Sequence, residues 1–253
     1  MLLQVDDLSL RFGGVHALSG VTFAVGEREI CGVIGPNGAG KTSLFNTLSR
    51  IYDVTSGSIR FAGQDLLRLP PHRVPGAGIA RTFQNVALFD RQTVRWNVRA
   101  GRFTRLSPFQ AGALFHSPKW RRARRETEAA VDDLLVKTRL DGVADRPVSE
   151  LPFGTRKRVE LARALAMQPR LLLLDEPAAG LNHEEVGELE TWIRGIRDTL
   201  GISVLLIEHH MNLVMRTSDH VVVLDFGRKI ADGAPAAVAQ DPQVQAAYLG
   251  APA

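Results

Sequence analysis

Three groups of residues in this chain have types and spacings that could do chemistry. They are a Lys-Thr pair behind closely spaced glycines, two acids at the end of an apolar run, and a histidine after another such run. Residues Gly35-Pro36-Asn37-Gly38-Ala39-Gly40-Lys41-Thr42 fit the phosphate-loop pattern G-x-x-x-x-G-K-[ST], and Ser43 follows. Glycines at 35, 38 and 40 let the backbone take positive φ and wrap closely, so that successive N–H groups converge on one anion. A helix starting there adds partial positive charge at the same point. Lys41 is then expected to reach the β- and γ-phosphates of a nucleotide, and the Thr42 hydroxyl to ligate Mg²⁺. A plain tight turn would account for the glycines but not for the Lys-Thr pair.

The acids follow Leu171-Leu172-Leu173-Leu174, as Asp175-Glu176-Pro177. A buried strand ending in two carboxylates places them at the carboxyl edge of a sheet. Asp175 is the expected Mg²⁺ partner, directly or through water. Glu176 is the expected general base, polarising the water that attacks the γ-phosphate. Two acids after a strand are common on protein surfaces, and the upstream phosphate loop is what gives this pair its meaning.

The elements that must position these groups are legible in outline. Ile30–Ile34 reads as a buried strand entering the loop, and Ser43–Leu48 as the helix leaving it. Residues Leu2 to Val25 alternate apolar and polar around Gly13-Gly14, which suggests antiparallel strands, and a short strand is expected near Ser58–Phe61. From Thr93 to Ser149 the strand signal disappears, and helices punctuated by Pro108, Pro118 and Pro147 suggest an inserted helical lobe. Then a helix is expected over about Thr155–Met167, strands at Leu171–Leu174 and Ser203–Ile207, and a helix over about Glu184–Leu200. A further helix follows His210, with strands at Val221–Leu224 and near Lys229-Ile230. Fully apolar runs suit central parallel strands covered on both faces. The expected fold is α/β, with a mostly parallel core carrying a helical insertion.

Composition narrows the class. At 253 residues, 45% hydrophobic and 23% charged, the chain is long enough for one large domain or a domain with a lobe. No uncharged apolar stretch reaches the roughly 18 residues that a membrane-spanning helix needs. The start, Met1-Leu2-Leu3-Gln4-Val5-Asp6-Asp7, lacks the basic region of a signal peptide. The lone Cys31 allows no intrachain disulfide, suits a reducing compartment and reads as a space-filler in the strand. Net charge is +4, only mildly basic. The sharpest basic run, Lys119-Trp120-Arg121-Arg122-Ala123-Arg124-Arg125, meets Glu126 and Glu128. It reads as a solvated helix in preference to a membrane-surface patch, and nucleic acid is the weakest of the three readings.

The order Gly35–Thr42, Gln84, Leu151-Pro152-Phe153-Gly154-Thr155, Leu171–Pro177, His209 resembles an ABC-transporter ATPase subunit across essentially the whole chain. The resemblance implies a P-loop NTPase fold with a mostly parallel core sheet, an N-terminal antiparallel β-subdomain and a helical subdomain. It implies a single ABC ATPase domain over residues 1–253, with a core of 1–92 and 168–253 and a helical subdomain of 93–167. ATP and Mg²⁺ are the implied ligands. Pro36, Asn37, Ala39 and Ser43 join the loop's other residues around the nucleotide, and Gln84 joins Thr42 and Asp175 at the metal while signalling to the permease. Phe12 would stack on adenine, although an aromatic there is also an ordinary strand packing residue. His209 corresponds to the switch histidine contacting the γ-phosphate and positioning Glu176; a cap after the strand is the alternative. Leu151, Phe153, Gly154, Thr155 and Asn182 would meet the nucleotide of a partner subunit.

Two departures stand out. The family signature Leu-Ser-Gly-Gly-Gln is replaced by Leu151-Pro152-Phe153-Gly154-Thr155, which loses a hydroxyl and an N–H at Pro152 but keeps Gly154. His210 stands where an aspartate commonly follows the switch histidine, so two histidines compete for that role, and position favours His209. Finer resemblance points to the branched-chain amino-acid importer branch of LivG type. It rests on Arg11-Phe12-Gly13-Gly14, Ala80–Asn85, Asp175–Asn182, Ala247-Tyr248-Leu249-Gly250 and the insertion Gly112–Pro118. That branch implies a peripheral subunit at the cytoplasmic face of the membrane. Its partners would be a second ATPase subunit, identical or homologous, transmembrane permease subunits and indirectly a substrate-binding protein, without nucleic acid. Urea or amide uptake, lipopolysaccharide export, a soluble non-transport ABC ATPase and a hydrolytically poor nucleotide-gated scaffold are the competing readings.

Overall fold

The computed structural model describes residues 1–82, 87–104 and 118–249. The chain forms two compact units, one of residues 1–81 and 170–253 and one of residues 82–169.

The first unit is built on two sheets. Strands β1 (Leu3–Phe12), β2 (Val15–Val25), β4 (Ser56–Phe61) and β5 (Gln64–Asp65) make an antiparallel sheet in the order β2-β1-β4-β5. Alternation buries Leu3, Val5, Leu8 and Leu10 along β1. The three-residue step from Val5 to Leu8 is absorbed by a register shift, with Asp7 at φ 49°, so both the valine and the leucine stay on the core face. The second sheet has the order β10-β9-β3-β8-β7-β6, from β3 (Ile30–Ile34), β6 (Ile79–Arg81), β7 (Leu171–Asp175), β8 (Ser203–Ile207), β9 (His220–Asp225) and β10 (Arg228–Gly233). All its pairings are parallel except the β9–β10 hairpin. Every residue of β3, β7 and β8 is buried, as apolar runs in a doubly covered parallel sheet require.

Register decides what the carboxyl edge presents. Ile207 of β8 pairs with Val33 of β3 on one side and with Asp175 of β7 on the other. The phosphate loop, Asp175-Glu176 and the Glu208-His209-His210 segment after β8 therefore leave the sheet from one edge, with β3 and β7 about 10 Å apart across β8. Helix α1 (Lys41–Leu48) leaves the loop and buries Leu44, Phe45 and Leu48 in the core that the two sheets share. The short helix α2 (Val74–Ala77) precedes β6.

The second unit holds α3 (Val94–Gly101), α4 (Pro118–Lys137) and α5 (Phe153–Ala166) around a core of Val94, Val98, Val131, Leu135, Val159 and Ala162. Gly101 permits close packing of α3 on α5: a Cβ there would lie 2.1 Å from the Arg163 carbonyl oxygen. The basic run opens α4, where Arg121, Arg122, Arg124 and Arg125 project from the first turns. Arg122 pairs with Glu126 one turn on at 2.8 Å, and Arg124 lies 5.6 Å from the centre of the Trp120 ring.

The first unit is completed by α6 (His183–Leu200), α7 (Met211–Thr217), α8 (Pro235–Gln240) and α9 (Pro242–Leu249). No helix of the described residues is long and apolar enough to cross a membrane.

Candidate functional site

The loop between β3 and α1 has the backbone an anion cradle needs. Gly35, Gly38 and Gly40 all take positive φ, at 152°, 81° and 100°. At Gly35 a side chain is also excluded by space, since a Cβ would lie 2.1 Å from the Leu224 carbonyl oxygen. Gly40 is the left-handed N-cap of α1 and has no side-chain cap, so the first N–H groups of the helix face the loop without a side-chain partner. Lys41 is only 5% exposed. Its ammonium donates to the carbonyl oxygens of Gly35 at 2.6 Å and Pro36 at 2.9 Å. Burial lowers its pKa from the ordinary lysine value, and the nearby Glu176 and Asp175 carboxylates act in the opposite direction. With three N–H donors and two carbonyl partners, the ammonium keeps one donor for an incoming anion.

At the end of β7 the two acids have different surroundings. Asp175 is buried and its Oδ2 accepts from Arg81 Nη2 at 2.7 Å, with both side chains enclosed. Arg81 also donates to Asn46 Oδ1 at 2.8 Å and Ser49 Oγ at 3.2 Å, so it ties β7 to α1 and the residue that ends it. Glu176 takes φ 48°, a left-handed conformation that a residue with a Cβ seldom adopts. Its Oε1 lies 2.5 Å from His209 Nε2. An ionised carboxylate only accepts, so Nε2 carries the proton in this pair. Of the two adjacent histidines, His209 is the one that meets Glu176.

Glu208 fixes this arrangement from beneath. It is 1% exposed, and its Oε1 accepts from the Ala178 N–H at 2.6 Å. Its Oε2 accepts from the N–H groups of His209 at 3.0 Å and His210 at 3.4 Å. One buried carboxylate thus joins the segment after Glu176 to the segment bearing His209. Phe12 ends β1, 47% exposed, with its ring edge-on to Tyr52 at 5.0 Å. Asn182 is the N-cap of α6 and forms a reciprocal capping box with Glu185, which occupies its side-chain oxygen and leaves its amide N–H groups.

The segment Leu151–Thr155 belongs to the other unit. Leu151 is buried, and α5 begins at Phe153 with Pro152 as an N-cap that supplies no side-chain bond. The N–H groups of Phe153, Gly154 and Thr155 are therefore left at an uncapped helix start, whose positive end is followed by Arg156, Lys157 and Arg158. Phe153 is 45% exposed, with Lys157 Nζ 5.7 Å from the ring centre. Gln84 lies outside the described residues.

Comparison with known proteins places this geometry in a family. The family profile described as ABC transporter matches residues 18–179. A second, described as Branched-chain amino acid ATP-binding cassette transporter, matches residues 228–253. The high-affinity branched-chain amino acid transport ATP-binding protein BraF of Pseudomonas aeruginosa is 42% identical over 98% of both chains. The corresponding protein LivG of Escherichia coli is 40% identical over the same shares. The chain belongs to the ABC transporter ATP-binding family. Among solved structures, a nucleotide-free ATP-binding cassette from an ABC transporter is similar, with a TM-score of 0.85 and 29% identity over 98% of this chain and 99% of the other. A cassette solved in its ADP conformation is similar at a TM-score of 0.84 and 29% identity, covering 98% of each chain.

The loop at Gly35–Thr42 offers phosphate oxygens backbone N–H groups at a helix start and the free donor of a buried ammonium. The donors near it suit a hard cation as well. Thr42 is exposed with no hydrogen bond to its hydroxyl among the described residues, and Asp175 keeps Oδ1 while Arg81 holds Oδ2. Oxygen donors of this kind are the chemistry Mg²⁺ takes beside phosphate oxygens. Neither Arg81 nor Glu208 stands out in the sequence. An arginine in a three-residue strand and a glutamate before two histidines carry no pattern of their own; only the paired register of β6, β7 and β8 brings them into the site.

Proposed function

We propose that this chain is the ATP-binding and ATP-hydrolysing subunit of an importer for branched-chain amino acids, acting at the cytoplasmic face of a membrane. The observation that carries the reaction is Glu176, held at φ 48° and hydrogen-bonded to His209 at 2.5 Å, one residue beyond the Asp175 that Arg81 ties to the phosphate-loop helix. The observations that favour the substrate class are the tail match at residues 228–253 and the near-full-length similarity to BraF and LivG.

In this reading the N–H groups of Gly38, Gly40, Lys41 and Thr42 receive the phosphates, with Pro36, Asn37, Ala39 and Ser43 shaping the cradle, and Phe12 stacks on adenine. Lys41 exchanges a carbonyl partner for phosphate oxygen and offsets its charge. Thr42, Gln84 and Asp175 would hold Mg²⁺, which when bound neutralises charge on the β- and γ-phosphates. Glu176 accepts a proton from the water whose oxygen bonds to the γ-phosphorus, while the bond to the β-phosphate oxygen breaks and ADP leaves. His209 donates its Nε2–H to Glu176 and keeps that carboxylate oriented.

Closure requires a second ATPase subunit. Its Leu151, Phe153, Gly154, Thr155 and Asn182 counterparts complete the site, and the uncapped start of α5 supplies backbone donors for a γ-phosphate. Pairing then drives attached permease subunits, fed by a substrate-binding protein, between inward- and outward-facing states. The test is transport by the complex co-purified from its membrane and placed in vesicles. ATP-dependent uptake of leucine, isoleucine or valine is expected. Uptake of urea instead, or hydrolysis stimulated by DNA or ribosomes without membrane association, would contradict the proposal.

A further inference from the structure

The segment that leaves the phosphate-loop helix is tied down at both ends, and an aromatic ring stands between the ties. Helix α1 ends at Leu48, and the Asn46 carbonyl then accepts from the N–H groups of Ile51 at 2.8 Å and Tyr52 at 3.2 Å. The Asn46 side chain receives Arg81, the partner of Asp175. At its far end the segment is held to β1. The Thr55 N–H donates to the Ser9 carbonyl at 2.8 Å, and the Thr55 hydroxyl accepts from the Arg11 N–H at 2.9 Å. The next residue along β1 is Phe12. Between these ties Tyr52 packs against the core that the two sheets share, and its ring meets the Phe12 ring at 5.0 Å with the planes 78° apart. The hairpin that carries Phe12 also abuts the phosphate loop, since a Cβ on Gly40 would lie 2.5 Å from the Ala17 carbonyl oxygen.

We infer that Tyr52 is a positioning residue for the base of the nucleotide: it holds the Phe12 ring in the orientation that stacks on adenine. This role deepens the reading of Phe12 as the adenine contact and rests on it. Phe12 is half exposed beside a Gly13-Gly14 turn that packs on nothing, because a Cβ at either glycine would meet no atom within 4 Å. A ring so placed has rotamer freedom to lose when a base stacks on it. Aromatic quadrupoles favour the perpendicular arrangement seen here, so Tyr52 removes that freedom before the base arrives. A perpendicular pair covers at most one face of Phe12, and another face stays available for stacking. Tyr52 is also anchored to the end of α1. The helix whose start would receive the phosphates therefore fixes the ring that would receive the base.

Titrations with Mg²⁺-ATP and with Mg²⁺-tripolyphosphate, which has the phosphates and no base, test this role. They compare full-length wild type, Tyr52→Leu, Tyr52→Phe, Phe12→Ala and the double variant of Phe12→Ala with Tyr52→Leu. Tyr52→Leu keeps an apolar side chain against the core and loses the ring. It is expected to bind ATP about twofold to tenfold more weakly, the range of one aromatic pair, with tripolyphosphate affinity unchanged. Tyr52→Phe, which keeps the ring, should bind ATP as wild type does. Adding Tyr52→Leu to Phe12→Ala should weaken ATP binding no further, since Tyr52 acts through Phe12. Equal losses for both ligands, or the same loss for ATP with and without the Phe12 ring, would overturn the inference. Unchanged ATP affinity in Tyr52→Leu beside a loss in Phe12→Ala would overturn it alone. Unchanged affinity in Phe12→Ala would overturn the adenine reading of Phe12 as well. Should Tyr52→Leu not fold, ring resonances of the wild type decide. ATP but not tripolyphosphate is expected to shift those of Tyr52, and equal shifts with both would contradict the role.

Discussion

Glu176 and Asp175 are neighbours in sequence with opposite surroundings, and the difference suits them to different tasks. Asp175 is enclosed and neutralised by Arg81, while Glu176 is turned out of the strand by its left-handed φ and held at its carboxylate by His209. A conformation of this kind costs on the order of 1–3 kcal/mol and persists where the surroundings over-determine it. Here the Glu176 N–H donates to the Ile207 carbonyl at 2.9 Å, and Glu208 anchors both the segment after Glu176 and the one bearing His209. Arg81 carries the sharpest prediction at this scale. Arg81→Ala leaves the buried Asp175 carboxylate without its charge partner and is expected to destabilise the protein by about 3–5 kcal/mol. Adding Asp175→Asn should recover much of that loss, as chemical denaturation of both variants would reveal. An Arg81→Ala variant as stable as wild type would show that the pair is not holding β7 to α1. The phosphate loop, Asp175 and Glu176 are legible from residue types and spacing alone. Position in the sequence already favours His209 over His210, and what the geometry adds is the contact itself, His209 Nε2 against the Glu176 carboxylate.

At the scale of elements, hydrophobic pattern is informative where strands are long or fully buried and silent where they are short. Strands β3, β7 and β8 can be read directly, because parallel strands covered on both faces are continuous apolar runs. Strand β6 has three residues, too few to show any period, yet it carries Arg81. Helices α8 and α9 each begin at a proline and leave no clear mark in the sequence. Both are short, and α9 has alanines where a longer apolar stripe would show. The antiparallel edge β9–β10 has its own electrostatic clasp: Asp232 accepts from Lys229 at 2.5 Å and pairs with His220. Burial pushes the Asp232 pKa up, but hydrogen bonds from Lys229 and His220 outweigh it, and the net shift is below the ordinary value of 3.8. A depressed carboxylate contributes stability that is complete above the unfolded pKa and disappears as pH falls through the folded one. Asp232→Asn is therefore expected to lower the melting temperature at neutral pH and to flatten the loss of stability on acidification below about pH 4. Parallel melting curves for wild type and variant from neutral pH downward would instead show that the clasp contributes nothing.

At the scale of the whole molecule, the groups suited to phosphate are divided between two units of the chain. The phosphate loop, Asp175, Glu176 and His209 belong to the unit of residues 1–81 and 170–253, whereas Leu151–Thr155 starts α5 in the unit of residues 82–169. The division between an α/β unit and a helical one is visible in sequence as the loss of strand signal after Thr93. The use proposed for the helical unit rests on family resemblance, because Pro152 and Phe153 erase most of the signature pattern. What survives physically is Gly154 and an uncapped helix start, a feature of backbone rather than of side chains. The central claim is that Glu176, oriented by His209, is the base that hydrolyses ATP in a site closed by a second subunit. Phosphate release by the co-purified complex tests it most directly, with wild type compared against Glu176→Gln and ATP affinity measured on both. Turnover is expected to fall by about 10²–10⁴-fold with ATP binding intact. Unchanged steady-state hydrolysis in the Glu176→Gln complex would contradict the account.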